Sequence, residues 1–401
     1  MAQRVYITGI GIITALGNNT EENLSSLMEE RSGIGEITLI DTIHKGKFPL
    51  AEVKLTHEEL LDQVGLPHKS NLTRTALLGM IAAQAAMHSA GIDNAKDSRT
   101  GLISATTVGG MDRSELFYEK FLADKSKGQL RDIVNHDCGD STERIAEFTG
   151  IREFITTIST ACSSSLNAIA FGAQLIKAGL VDRVLAGGTD SVTKFTLNGF
   201  NTLMILDKNK CRPFDDTRAG LTLGEGAAFV VLESEELVNR EKKNILCELT
   251  GYGNANDAYH QTASSPEGTG AYLAMQKALE MSGQTPERID YINVHGTGTS
   301  NNDLSEGIAI ERLFGENVPA FSSTKSYTGH TLGAAGAVET VISILSMTNN
   351  VIFPNLNFST RMKELKITPV TQLKKEINLR HVLTNSFGFG GNNSTLIISK
   401  C

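Results

Sequence analysis

Cysteine, proline and long apolar runs are all scarce in this sequence. Its 401 residues include only five cysteines, an odd number with no CxxC spacing, which argues against a disulfide framework and against a zinc site. The eight prolines form no Pro/Ser-rich linker, so the composition does not divide the chain. No apolar run reaches the roughly 18–20 residues of a membrane span, and we expect no association with membranes.

An excess of positive charge is absent as well. The formal net charge is −8, which gives binding to nucleic acid no electrostatic support. The amino-terminal segment MAQRVYITGIGIITALG lacks the architecture of a signal peptide and has the pattern of a first strand. Together with the cysteine pattern, this predicts a protein of the reducing cytoplasm.

Segments with strand and helix patterns alternate along the whole chain. Helical periodicity is clear at 72–91 and 268–283, between runs rich in β-branched and apolar residues. This alternation predicts an α/β fold with buried sheets. The predicted strands are 4–13, 99–106, 154–160, 182–191, 227–234, 245–253, 290–298, 319–326, 381–388 and 394–400.

The chain has two halves that look alike in outline. Each half places a reactive-looking residue just after a strand and before a helix of small residues, which suggests a duplicated unit. The charged segment ESEELVNREKKN, which we interpret as a solvated helix, is the best midpoint boundary. The predicted halves are therefore residues 1–243 and 244–401.

Cys162 lies where a β-branched run gives way to a helical pattern. At a helix N-terminus, the dipole and the free amides favour a thiolate and can bind a negative oxygen on a substrate. The serines that follow could cap the first helical amides. From these residues alone, a buried structural cysteine is an equally good interpretation. The apolar stripe that predicts the helix consists of Leu166, Ile169, Ala170, Ala173 and Ile176.

Two histidines have surroundings that repeat this arrangement. His295 lies in NVHGTGTSNND and His330 in STKSYTGHTLGAAG, each between a predicted strand end and a tight turn. In α/β folds, sites assemble at that edge of the sheet, although a structural histidine explains each pattern equally well. Lys325 could be an exposed lysine or a charge that orients the local network together with Glu339.

Glycine-rich segments complete the set of motifs. In NSFGFGGNNS, residues 385–394, glycines permit tight turns and hinge motion, and Phe389 between them has the character of a movable gate. A dinucleotide site is not indicated, because TGIGIITALG has Thr14 at the third glycine position of GxGxxG. The chain also contains no GxxxxGK[ST] sequence, which excludes a P-loop.

Taken together, these motifs resemble those of the β-ketoacyl-acyl-carrier-protein synthases of the thiolase superfamily. The blocks TACSSS, HGTGT and KSYTGHTLGAAG carry the resemblance, with RPFDDTRAGLTLGEGAAFVVLE and NSFGFGGNN in addition. The similarity covers essentially the whole chain. The Cys–His–His set is similar to that of elongating, type II synthases, whereas initiating relatives use Cys–His–Asn. The resemblance implies a thiolase-like five-layer αβαβα fold of two similar halves and a homodimer.

The resemblance also implies a reaction and roles for the motif residues. Cys162 would take an acyl chain from an acyl-carrier protein, and malonyl-carrier protein would then lose CO2 and condense with that chain. The amides of Cys162 and Phe389 would hold the thioester oxyanion. His295 and His330 would stabilise the enolate, and Lys325 would act indirectly, on His330 and Glu339.

Substrate contacts follow from the same resemblance. Thr297 and Thr299 would bond the phosphopantetheine arm of the carrier protein, and Thr107 and Val108 would line the acyl pocket. Thr107 stands where relatives often have glycine, and SNND follows HGTGT where PxxD is usual. These departures leave the acyl chain length and the primer open.

The family resemblance implies no metal or organic cofactor in the chemistry. Some relatives hold a structural cation, here expected near Asn293, Glu339 and Asn385. Because carrier proteins are acidic and this chain is acidic too, docking requires a local basic patch. One candidate patch is Lys208, Lys210 and Arg212, and a second is Lys69 and Arg74. Ordinary surface charge explains either patch slightly better.

Three alternative functions differ from fatty-acid elongation in pathway or in chemistry. The same condensation could serve a specialised polyene or polyketide pathway, in which the partner would be a chain-length-factor homologue in a heterodimer. A chain-length factor itself usually lacks the active cysteine, which Cys162 argues against. A degradative thiolase uses a second cysteine near its C-terminus as the base, and the only late cysteine here is the terminal Cys401.

Overall fold

A computed structural model describes residues 3–401 of the chain. Residues 1 and 2, where the predicted first half begins, lie outside the described residues. Its strands are β1 Val5–Thr14, β2 Thr100–Ala105, β3 Phe154–Ile158, β4 Arg183–Asp190, β5 Gly226–Ser234, β6 Cys247–Asn256, β7 Tyr291–Asn293, β8 Ala320–Ser322, β9 His381–Phe387 and β10 Asn392–Ser399. All ten predicted strands are present.

Twelve α-helices lie between these strands within residues 3–401. None of the helices in that range is both long and apolar enough to cross a membrane. The helices are α1 Thr20–Met28, α2 His57–Gln63, α3 Arg74–Ser89, α4 Met111–Ala123, α5 Cys138–Thr149, α6 Ser164–Lys177, α7 Lys194–Thr202, α8 Glu235–Glu241, α9 Thr269–Ser282, α10 Ser300–Phe314, α11 Lys325–Thr328 and α12 Ala335–Asn349.

The strands form two five-stranded units with the same topology. The first unit has the order β3-β2-β4-β5-β1 and the second has the order β8-β7-β9-β10-β6. In both units, therefore, the strands lie in the order third, second, fourth, fifth and first along their own half of the chain. A short antiparallel pairing of β1 with β6 joins the two units, with Tyr6 opposite Glu248.

Helices cover both sheets and also fill the space between them. Helices α3 and α5 pack on the outside of the first sheet, and α9 lies outside the second with α10 packed against it. Helices α6 and α12 pack against each other and contact strands of both sheets. The first thirteen residues of α12 are all buried, as expected for a predominantly apolar helix. This arrangement confirms the predicted five-layer αβαβα fold.

Paired glycines set the helix-to-sheet distance in each half. A Cβ on Gly9 or Gly11 of β1 would lie 2.4 or 2.1 Å from a carbonyl oxygen of α3. A Cβ on Gly251 or Gly253 of β6 would lie 2.2 or 2.1 Å from a carbonyl oxygen of α9. Because real Cβ contacts are never so short, these glycines allow the close approach of each outer helix. Gly9 and Gly11 thus have a packing role.

Two strands are much shorter than predicted. The predicted strand 290–298 contains only β7, which ends at Asn293, and the predicted strand 319–326 contains only β8. Beyond β7, the amides of His295 and Gly296 donate to the Glu306 carboxylate, so they are withdrawn from any strand pairing. Lys325 begins a short helix and does not lie on a strand.

Candidate active site

Cys162 occupies a sharp turn between β3 and α6. The preceding residue, Ala161, has a φ of +54°, a conformation that non-glycine residues adopt only under constraint. The Ser386 hydroxyl donates to the Cys162 carbonyl oxygen at 2.8 Å and fixes the turn to β9. A Cβ on Gly388 would lie 3.1 Å from the Cys162 amide nitrogen, so glycine lets the β9–β10 loop reach the nucleophile.

The serines after Cys162 do not cap their own helix, so the capping expectation is wrong. Helix α6 has no side-chain cap hydrogen bond at its N-cap, Ser163. Ser164 Oγ accepts from the Thr160 amide at 2.8 Å, and Ser165 Oγ accepts from the Ala337 amide at 2.9 Å. The serines therefore tie the turn to neighbouring segments instead of to the first turn of α6.

His330 presents a hydrogen-bond donor to the cysteine sulfur. Its Nε2 lies 3.1 Å from Cys162 Sγ, and its Nδ1 accepts from the Leu332 amide at 3.1 Å. Since Nδ1 accepts a hydrogen bond, the neutral ring carries its proton on Nε2. His330 therefore donates toward the reacting atoms and cannot take the thiol proton at Nε2.

Lys325 holds the second histidine in the same tautomer. The Lys325 ammonium lies 3.0 Å from His295 Nδ1 and donates to the His295 carbonyl oxygen at 2.6 Å. The buried Glu339 carboxylate forms an ion pair with the same ammonium. Lys325 thus contacts Glu339, as expected, and acts on His330 through its charge; its hydrogen bonds to His295 are an additional contact. The rings of the two histidines are nearly perpendicular, with centroids 5.3 Å apart.

Burial determines the protonation states at this site. Burial and the nearby Lys325 charge lower the pKa of His295 and of His330 well below the usual 6.5, so both rings are neutral at pH 7. Burial also raises the pKa of the Cys162 thiol to about 11, although Lys325 and the amides of Phe389 and Cys162 oppose that shift. The sequence indicated a lowered thiol pKa, and the shift has the opposite direction because desolvation outweighs these opposing contributions.

The raised pKa of Cys162 predicts slow alkylation that accelerates with pH. Because the thiolate is the reacting form, the rate with iodoacetamide should rise about tenfold per pH unit between pH 7 and 9 without levelling off. Peptide mass spectrometry would measure the rate in a Cys401→Ser background, which removes the exposed terminal thiol. A plateau below pH 8 would contradict the buried, neutral thiol.

Two cavities meet at Cys162. Both histidines, Thr297 and Thr299 line a narrow channel of about 160 Å³. Thr107 and Val108 line a wider cavity of about 520 Å³. The wider cavity is mostly apolar; its lining includes Met111, Phe195, Phe200, Leu203 and Leu332.

Phe389 lines both the channel and the wider cavity. Its ring stacks on Phe200 of α7 at a centroid distance of 6.1 Å. The backbone amides of Phe389 and Cys162 both act to lower the pKa of the Cys162 thiol, against the effect of burial. The position of Phe389 is consistent with a gate and its amide with an oxyanion donor, and both roles stay predictions.

Several buried acids support the site and were missed from the sequence. Glu306 accepts from the His295 and Gly296 amides, and burial raises its pKa to about 7. Asp190, at the end of β4, accepts from the Thr107 hydroxyl at 2.7 Å and the Val108 amide at 3.0 Å. Acidic residues on otherwise apolar faces are the only signal that could have identified them.

The three residues expected near a cation differ in whether they have a side-chain oxygen without a hydrogen-bond partner. Asn293 Oδ1 and Glu339 Oε2 are buried and have no hydrogen-bond partner among residues 3–401. Asn385 is fully engaged, since its Oδ1 accepts from Thr395 and its Nδ2 donates to Glu306. Asn293 and Glu339 fit a small cation, whereas Asn385 does not offer it an oxygen.

The candidate docking residues differ in exposure. Lys208, Lys210 and Lys69 are exposed, and Arg212 is partly engaged with Asp207 at 3.2 Å. The expectation that Arg74 forms part of a basic docking patch is wrong. Its guanidinium is mostly buried, donates to the Glu225 carboxylate at 2.6 Å and also binds the Val53 and Leu55 carbonyl oxygens.

Comparison with known proteins identifies the family of the chain. Residues 2–237 match the model of the β-ketoacyl synthase N-terminal domain, and residues 246–359 match that of the C-terminal domain. The chain is 33% identical to a 3-oxoacyl-[acyl-carrier-protein] synthase 2 of Staphylococcus aureus, with 99% of this chain and 98% of that protein covered.

Solved structures agree with this similarity. The ishigamide ketosynthase/chain length factor superimposes with a TM-score of 0.93 at 31% identity, and both chains are covered completely. The ketosynthase ApeO of Xenorhabdus doucetiae, solved in complex with its chain length factor ApeC, gives a TM-score of 0.82 at 31% identity, with 100% of this chain and 98% of that chain covered. The chain belongs to the β-ketoacyl synthase family and is an acyltransferase-type condensing enzyme.

Proposed function

We propose that this enzyme elongates acyl chains on an acyl-carrier protein in fatty-acid synthesis by decarboxylative Claisen condensation. One observation carries the proposal: Cys162 Sγ and a ring nitrogen of both His295 and His330 lie within 4.8 Å of one another. A nucleophile and two neutral hydrogen-bond donors thus converge where an apolar cavity meets a narrow channel. The 3-oxoacyl-[acyl-carrier-protein] synthase name of the Staphylococcus relative supports this substrate class.

The first half-reaction moves an acyl chain onto the cysteine. Cys162 Sγ attacks the thioester carbonyl carbon, and the oxygen takes up negative charge between the Cys162 and Phe389 amides. The carbon–sulfur bond to phosphopantetheine then breaks, and the proton lost from Cys162 ends on the released phosphopantetheine thiol. His330 Nε2–H supports the sulfur while it carries negative charge. The acyl chain would occupy the cavity beside Thr107 and Val108.

The second half-reaction forms the new carbon–carbon bond. The malonyl group loses CO2 and leaves an enolate, whose oxygen accepts from the Nε2–H groups of His295 and His330. The enolate carbon attacks the Cys162 thioester, and the carbon–sulfur bond breaks to give a β-ketoacyl chain two carbons longer. Cys162 recovers one proton from solvent. One donor in such a hole contributes roughly 3–4 kcal/mol to the barrier reduction.

These steps require only side chains and amides, so we propose no organic cofactor; the phosphopantetheine arrives on the carrier protein and contacts Thr297 and Thr299. Asn293 and Glu339 would hold a structural monovalent cation through Asn293 Oδ1 and Glu339 Oε2, the carboxylate oxygen that Lys325 does not contact. We place the enzyme in the cytoplasm, where a free thiol such as Cys162 stays reduced.

Two kinds of partner are proposed. An acyl-carrier protein would dock near the exposed Lys208 and Lys210, which follow the channel-lining residue Ile205. A second copy of the chain would cover the edge strand β3 and an exposed apolar face beside the acyl cavity. Large exposed apolar patches are typical of such interfaces. The apolar face consists of Leu116, Leu122, Leu130, Val134 and Phe195.

Reconstitution would test the proposed function. The enzyme, an acyl-carrier protein loaded with a short acyl chain, and malonyl-carrier protein should yield β-ketoacyl-carrier protein and an equal amount of CO2. Mass spectrometry of the carrier protein measures the product. Turnover with acyl-coenzyme A as the only effective acyl donor would contradict an elongating synthase.

A specialised pathway is the second candidate. It is favoured by the similarity, at 31% identity, to a ketosynthase solved with its chain length factor. In that case the apolar face would contact a chain-length-factor homologue in a heterodimer. Purified alone, such a protein would be inactive in the reconstituted assay, whereas an active homodimer favours fatty-acid elongation.

A further inference from the structure

The two amides proposed to hold the thioester oxyanion come from separate segments of the chain. The Cys162 amide belongs to the β3–α6 turn, and the Phe389 amide belongs to the loop between β9 and β10. An oxyanion hole works only while its donors keep a fixed spacing. Something must therefore hold the turn and the loop together.

Asn392 at the start of β10 contacts both segments. Its backbone carbonyl oxygen accepts from the Gly388 amide at 2.8 Å, which closes the loop that carries Phe389. Its side-chain Oδ1 accepts from Ser163 Oγ at 2.7 Å, at the N-cap of α6, and from Asn167 Nδ2 at 3.0 Å, near the start of that helix. One residue thus closes the loop with its main chain and binds the nucleophile turn with its side chain.

A third hydrogen-bond donor to the Asn392 side-chain oxygen comes from a neighbouring strand. Asn254 Nδ2 of β6 donates to the same Asn392 oxygen at 2.9 Å. Within the part of the chain that the structure describes, Asn392 Nδ2 makes no hydrogen bond, so the side chain acts through its oxygen. An oxygen with three donors has a strongly restricted position.

We propose that Asn392 is a positioning residue that sets the spacing of the two oxyanion amides. This inference rests on the proposed function. It goes beyond that function because it assigns Asn392 an effect on only one of the two half-reactions. Acyl transfer forms an oxyanion at the Cys162 and Phe389 amides, whereas loss of CO2 places charge at the histidines. Loosening the Asn392 contacts should therefore slow acyl transfer and leave CO2 release by the acylated enzyme unchanged.

Two substitutions at this position test the proposal. Asn392→Leu keeps the shape and removes the oxygen, and it should slow acylation of Cys162 from acyl-carrier protein about tenfold, since a misplaced donor costs less than a deleted one. Asn392→Asp keeps the acceptor and should restore the rate to within about twofold. Rapid-quench intact-mass measurements give the acylation rate, and CO2 release from malonyl-carrier protein is measured on enzyme acylated beforehand. Asn317→Leu, at an exposed asparagine after α10, is the matched control.

The outcomes are distinct. Slow acylation with normal CO2 release, rescued by Asn392→Asp, supports the proposal. Equal slowing of both steps, equal behaviour of the Leu and Asp variants, or no change overturns it. If Asn392→Leu does not fold, Ser163→Ala removes the shortest of the three bonds and should show the same selective loss, or the proposal fails. A wild-type enzyme that takes no acyl chain from any carrier protein would refute the proposed function instead.

Discussion

Replacing His295 by alanine is expected to slow CO2 release from malonyl-carrier protein by about 10²–10³-fold, the cost of deleting one oxyanion donor. Acylation of Cys162 should stay within about twofold of the wild type, because the histidine in hydrogen-bond contact with the sulfur is His330. The two rates are measured by CO2 trapping and by intact-mass spectrometry.

His330→Ala provides the informative comparison. This change should slow both half-reactions, since His330 Nε2 contacts the sulfur and would also donate to the enolate oxygen in the proposed mechanism. His68→Ala, at an exposed histidine, should change neither rate. If His295→Ala slowed acylation as much as CO2 release, the division of roles between the two histidines would be wrong.

Replacing Lys325 by methionine is expected to lower the free energy of unfolding by about 3–5 kcal/mol, because Glu339 would be left as a buried carboxylate without its ion-pair partner. Condensation should also fall, since His295 would lose the ammonium that fixes its tautomer. Urea unfolding measures the first effect and the reconstituted assay measures the second.

The double variant Lys325→Met/Glu339→Leu separates stability from catalysis. Removing both charges should recover most of the lost stability, because two apolar side chains replace a desolvated pair. CO2 release should stay low, since His295 would still lack the Lys325 ammonium. A double variant that regains full activity would show that Lys325 contributes to stability alone.

The fold could be predicted from the sequence because its local signals agree with one another. The alternation of strands and helices, the break at Cys162 and the apolar stripe of α6 all reflect short-range periodicity. Predicted strand boundaries were wrong where contacts outside the strand decide them. At β7, the Glu306 carboxylate accepts from the amides that a longer strand would have used for pairing.

The sequence predicted which residues form the candidate site better than it predicted their pKa values and contacts. The motifs identified Cys162, His295 and His330, but a motif does not show how deeply a side chain is buried. The raised thiol pKa, the contact of Lys325 with His295 and the buried ion pair of Arg74 all depend on packing between segments far apart in the sequence. The network around Asn392 likewise joins residues from three separate elements.

The most direct test of a condensing enzyme with Cys162 as its nucleophile is intact-protein mass spectrometry after incubation with acyl-carrier proteins of several chain lengths. Wild type, Cys162→Ala and the control Cys401→Ser would be compared, with acyl-coenzyme A as a competing donor. We predict one acyl mass on the wild type and on Cys401→Ser, and none on Cys162→Ala. Acylation that persists in Cys162→Ala, or that occurs from coenzyme A alone, would contradict the account.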